Sequence, residues 1–147
     1  MSLQDWLKHG WLIEHQTSAQ EIADLLDLVD RDLAESEIPE LSPDWRLSIA
    51  YNAALQAATA ALAASGYRAG REAQNYRVIE SLAHTIKADR TLISELDRFR
   101  KKRNITGYER AGAVSEQEAK EMIGLARKLR DEVMRWLRMN HPELLQE

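Results

Sequence analysis

Apolar residues recur along this chain at intervals of three and four, the spacing of one face of an α-helix. Ile22, Leu25, Leu26, Val29 and Leu33 follow Ser18, which with Glu21 three positions on forms a capping box, and they predict a helix over about 18–35. Leu47, Tyr51, Ala54, Ala58 and Leu62 follow Ser42-Pro43-Asp44 and run to Gly66, predicting a second helix over about 43–65. Its alanine-rich stretch from Ala53 to Ala61 offers little side-chain volume, so neighbouring helices can approach closely. Tyr76, Ile79 and Leu82 mark a third stretch over about 72–84, and Asp89 can cap a fourth carrying Leu92, Leu96 and Phe99. The pattern does not decide whether these are two helices or one kinked helix. Asn104 to Val114, with Gly107 and Gly112, reads as an irregular connection. Ser115 and Glu118 then form a second capping box, and Met122, Ala126, Leu129, Val133 and Trp136 carry a last helix to Asn140-His141-Pro142. Helices of this number and length, joined by short loops, predict an all-α fold: an up-and-down antiparallel helical bundle of four to five helices. Residues 17–142 are assigned to the bundle, 143–147 to a tail, and 1–16 to an apolar arm carrying Trp6, Leu7, Trp11, Leu12 and Ile13. The arm is expected either to dock on the bundle or to contact a second chain.

Composition agrees with helices and removes several chemistries. Of 147 residues, 44% are apolar and 30% charged, with 6 Gly, 3 Pro and a single Phe, which disfavours a large sheet. The absence of Cys excludes disulfides, thiol catalysis, a Cys-based zinc site and an iron–sulfur cluster. The N-terminal segment lacks a basic region followed by a continuous apolar run, and the most apolar stretch, Ile49 to Ala64, is interrupted by Asn52, Gln56 and Thr59. A core helix in a cytoplasmic protein with no membrane association is the expectation. The net charge of −4 is unevenly distributed: residues 1–66 hold 3 Lys/Arg against 11 Asp/Glu, and residues 67–147 hold 17 against 13. An anionic partner would therefore meet only a local patch on the second half, unless the two halves simply attract each other.

The densest cationic run, Arg98-Phe99-Arg100-Lys101-Lys102-Arg103, ends the fourth apolar stripe. Successive residues cover every face of a helix, so the run is not one flat stripe. Arg103 follows Leu92, Leu96 and Phe99 in register and should point inward or into a partner, where a charge needs a counter-group. Two readings stand side by side. Arg103 pairs with an acid such as Glu109 while the other cations favour a helix C-terminus, or its planar guanidinium holds phosphate oxygens through two parallel hydrogen bonds. A nuclear-localisation reading of the run is the weakest. No His-x3-His or Glu-x2-His pair offers a metal site, and no Gly-rich phosphate loop or Gly-x-Ser-x-Gly elbow is present, so neither metal nor cofactor is expected. His84 and His141 are expected at the surface or at caps. The tryptophans are expected in the core or at a dimer interface, with base stacking by Trp45 or Trp136 the lesser reading.

At this point the sequence resembles the HEPN superfamily of helical-bundle proteins, which often carry an Arg-x4-6-His motif beginning Arg-Asn at the end of a bundle helix. The matching residues are Lys102-Arg103-Asn104-Ile105-Thr106-Gly107-Tyr108-Glu109, supported by Ser42-Pro43-Asp44-Trp45, Ala50 to Leu55, Gly66-Tyr67-Arg68, Tyr76 to Ile79 and Gly112 to Ser115. The likeness is greatest to prokaryotic single-domain members encoded in small operons. It implies a homodimer whose paired motif helices form a cleft that binds RNA or a nucleotide. It also implies metal-independent endoribonuclease activity of toxin–antitoxin or RNA-defence type, and a small nucleotidyltransferase as neighbour. The residues carried over are Arg103, Asn104 and Tyr108 as the catalytic set, with Arg100, Lys102 and Arg110 as nucleic-acid contacts. This chain departs from the family where catalytic members place His, because it has Tyr108. A His pKa near about 6.5 suits both proton transfers of RNA cleavage. A Tyr near about 10 is only about 0.1% ionised at pH 7 and suits a proton donor better than a base. The alternatives are a non-catalytic partner protein, and a Tyr108 that is itself the target of the nucleotidyltransferase.

Overall fold

The computed structural model describes residues 1–108 and 113–145, with the backbone alone of 105–108. The chain folds as an all-α bundle built around one alanine-rich helix. Helix α2 (Ala19–Ser36) starts where the Ser18 side chain accepts from the Glu21 backbone N–H at 3.1 Å. The reciprocal half of the expected capping box is absent. The Glu21 carboxylate instead accepts the Thr17 hydroxyl at 2.6 Å and lies 2.7 Å from His15 Nε2, tying the preceding loop to the helix. These two hydrogen bonds hold the Glu21 carboxyl below its ordinary pKa.

Helix α3 (Pro43–Ala64) is capped by Ser42, and Pro43 occupies its first position. Ala50, Ala53, Ala57, Ala60 and Ala61 are fully buried, together with Leu47 and Tyr51. Side chains this small let α2 and α6 (Glu116–Asn140) press on α3 while α4 (Gln74–Glu80) and α5 (Arg90–Tyr108) touch its remaining surface. Among the described residues, α3 is the one helix whose length and composition would suit a membrane, and 61% of that apolar window is buried inside the bundle. It is the core helix. Helix α6 opens on a complete capping box between Ser115 and Glu118 and buries Met122, Ala126, Leu129, Val133 and Leu137.

The third and fourth runs are separate. Helix α4 gives way to a 3₁₀ turn at Ser81–Ala83, and Lys87, in the link to the next helix, adopts the left-handed region at φ +58°. Helix α5 then starts with Asp89 Oδ1 accepting from the Leu92 N–H at 2.8 Å. The irregular connection expected from Asn104 is shorter at its start, because α5 continues through Tyr108. Nothing from 104 to 108 is Pro, and a single Gly107 inside a helix costs only about 1 kcal/mol relative to Ala.

The N-terminal arm docks on the bundle. Helix α1 (Leu3–Lys8) buries Trp6, and β1 (Leu12–Glu14) pairs antiparallel with β2 (Tyr67–Ala69), Leu12 facing Ala69. The Arg77 guanidinium sits 3.7 Å from the Trp11 ring centroid, and Trp6 meets His84 edge-on at 5.2 Å. His84 is thus a packing partner of the arm, and burial lowers its pKa. Trp136 is half-buried against His141, the residue that ends α6. Trp45 is 64% exposed and lies outside the core of this chain.

Candidate functional site

Helix α5 brings the cationic run to the bundle. Its inward stripe of Leu92, Ile93, Leu96 and Phe99 is buried, and the next position in that register, Arg103, is half-buried. The Arg103 guanidinium carbon lies 5.1 Å from the ring centroid of Tyr51, a fully buried residue of α3. An aromatic face is a fitting surface for a desolvated guanidinium, because the ring's quadrupole is negative there. The Tyr51 hydroxyl is buried and has no hydrogen-bond partner among the described residues. Burial pushes its pKa up to about 12; the charges of Arg103 and Arg100 oppose this, and Asp97 reinforces it. Tyr51 is therefore a neutral O–H donor across the physiological range.

Arg98, Arg100, Lys101 and Lys102 are engaged by acids. Arg100 Nε donates to Asp97 Oδ1 at 2.7 Å, and its guanidinium carbon lies 5.4 Å from the Tyr76 ring centroid. Lys101 lies 3.4 Å from the other Asp97 oxygen, and Lys102 lies 3.4 Å from Glu118 on α6. Arg98 bridges Glu95 at 3.1 Å and Glu121 at 3.2 Å. The basic run is thus largely neutralised within its own bundle, so its long-range pull on a polyanion is smaller than the residue count implies.

Of the residues expected to form the site, Arg103 turns toward α3 and Asn104 is exposed beside it. Tyr108 lies in the last turn of α5, in register with Asn104, while Gly107 is the residue in register with Arg103. Arg110 and the proposed ion-pair partner Glu109 lie outside the described residues. Sequence reasoning missed Tyr51, Asp97 and Tyr76. Tyr51 had one legible signal: it is the only residue with a hydroxyl in an apolar repeat otherwise made of Leu and Ala.

The HEPN domain family matches residues 17–136, from the start of α2 to near the end of α6. The chain belongs to the HEPN family. No curated protein matches it in sequence. Membership in the HEPN family points to a role connected with nucleotides or RNA. Arg103-Asn104 of this HEPN protein lies toward the end of α5, where the Arg103 guanidinium rests against Tyr51. Among the described residues, no three His, Asp or Glu side chains gather into a metal-binding group. A separate cavity of 380 Å³, lined by His15, Glu21, Leu55, Gln56, Tyr67 and Asn75 among others, lies toward the C-terminal end of α3.

Proposed function

We propose that this HEPN protein binds RNA or a nucleotide as a cytoplasmic homodimer, at a cleft lined by Arg103, Asn104 and Tyr108. The observation that carries the reading is the setting of Arg103: a half-buried guanidinium braced on the Tyr51 ring, next to an exposed Asn104. A guanidinium held in one orientation is prepared to grip two phosphate oxygens with less loss of freedom than a mobile one. Arg100, Lys102 and Arg110 supply secondary phosphate contacts; for Arg100 and Lys102, that contact competes with Asp97 and Glu118.

The reading extends to metal-independent cleavage of toxin–antitoxin or RNA-defence type. In that chemistry the 2′-hydroxyl attacks phosphorus and gives its proton to water, and Arg103 stabilises the charge on the pentacoordinate phosphate. Asn104 orients the reacting groups, and Tyr108 protonates the leaving 5′-oxygen and is reprotonated by water. A second reading is favoured by the ion-paired cations: a non-catalytic bundle that docks a partner protein such as a small nucleotidyltransferase. The experiment that separates them uses labelled single-stranded RNA with chelator present, and compares wild type, Arg103→Ala and Tyr108→Phe. Salt-dependent binding lost in Arg103→Ala supports the RNA reading. Cleavage abolished by both substitutions makes the protein a ribonuclease. Neither binding nor cleavage by clean wild-type protein transfers the weight to the partner reading.

A further inference from the structure

Buried hydroxyls in folded proteins almost always have a partner, so an orphaned one points to something that completes it. The Tyr51 hydroxyl is such a group, on a residue with no exposed surface, and the charged groups that act on it are Arg103, Arg100 and Asp97. Tyr76 borders the same place through Arg100. We infer that the Tyr51 hydroxyl is a second ligand group for the phosphate held by Arg103, donating its proton to a phosphate oxygen. This rests on the reading that Arg103 grips an anion.

Three features of the surroundings favour a phosphate over a neutral or cationic partner. Arg103 lies over the Tyr51 ring, and its positive charge and that of Arg100 act on the hydroxyl, so an anion there is attracted where a cation would be repelled. The one acid among the charges acting on Tyr51, Asp97, is already held by Arg100 and Lys101, which reduces its repulsion of an incoming anion. A tyrosine kept protonated adds a donor without adding a negative charge, whereas a phenolate would repel the ligand. Because Tyr51 is fully covered, the phosphate reaches its hydroxyl only alongside the half-buried Arg103 side chain that rests on the ring.

The test uses Tyr51→Phe, which keeps the ring under Arg103 and removes only the oxygen. An orphaned hydroxyl is unfavourable in the free protein, so Tyr51→Phe is expected to melt at a higher temperature than wild type while binding its ligand about tenfold more weakly. A hydroxyl that matters only for packing would move both properties in the same direction or neither. Binding is read with two probes: inorganic phosphate, by the shift in melting temperature relative to chloride at equal ionic strength, and labelled single-stranded RNA. The expected result is weaker binding of both probes by Tyr51→Phe, with an unchanged dependence of RNA affinity on salt because no charge is lost. Unchanged affinity in Tyr51→Phe together with weakened binding in Arg103→Ala would overturn the Tyr51 role and leave the Arg103 site standing. Loss of binding in parallel with a lowered melting temperature would also overturn it, as a structural effect. No binding of either probe by wild type would remove both.

Discussion

Replacing Ala57 with Leu tests why the central helix is made of alanine. Ala57 is fully buried on α3, next to Ala58 at 1% exposure and one turn from the fully buried Ala53 and Ala61. If a void lay beside it, three added carbons would bury apolar surface and stabilise the fold by about 2 kcal/mol. If α2 and α6 are held close by the small side chains, the added carbons force rotamer and backbone shifts and destabilise it by about 1–3 kcal/mol. The sign of the effect separates the two cases. For a domain of this size each kcal/mol moves the melting temperature by roughly 2–4 °C, so the expected fall is about 2–12 °C. Ala34→Leu on the exposed face of α2 is the control and should stay within about 0.5 kcal/mol of wild type. Thermal unfolding followed by circular dichroism measures both. An Ala57→Leu protein that melts at or above the wild-type temperature would refute the close-packing account of α3.

Ser115→Ala removes the acceptor that caps the Glu118 N–H at 3.1 Å and should cost about 1 kcal/mol, lowering the melting temperature by roughly 2–4 °C. Glu118 is held below its ordinary pKa of 4.5, first by the Ser115 backbone N–H and then by Lys102. A carboxyl depressed in the folded state stabilises the protein fully above its ordinary value, and that contribution disappears as pH falls through the lowered one. Melting temperature should therefore decline below about pH 4.5, and Glu118→Gln should flatten part of that decline in melts taken between neutral and strongly acidic pH. If RNA binds at Arg103, the slope of log affinity against log salt should be shallow, because Arg100, Lys101 and Lys102 already face acids. The residual binding of Arg103→Ala that low salt restores should show a slope smaller by about 0.7, the value for one phosphate of a single strand, in fluorescence anisotropy titrations.

The long helices were legible because periodicity and capping agreed. Ser18, Ser42 and Ser115 each sit at a helix start with the side chain accepting from the residue three positions on. The arm was harder to read, since a three-residue strand carries almost no periodic signal and its partner, Tyr67–Ala69, lies more than fifty residues away. Glu21 looked like the second half of a capping box, but Thr17 and His15 compete for the same carboxylate, and that competition depends on where the preceding loop runs. The inward turn of Arg103 followed from the register with Leu96 and Phe99, whereas its resting place on Tyr51 required knowing that α3 and α5 are neighbours. The neutralisation of the basic run was hidden for the same reason: Glu118 and Glu121 belong to α6, and only the pairs within α5 follow from sequence spacing.

Photo-crosslinking with single-stranded RNA that carries 4-thiouridine, done with chelator present and mapped by mass spectrometry, tests most directly whether the Arg103 end of α5 is where RNA sits. The account predicts adducts confined to the segment 99–110 and to its neighbours Tyr51 and Tyr76, and their loss in Arg103→Ala. Adducts elsewhere on the bundle that survive Arg103→Ala would contradict it.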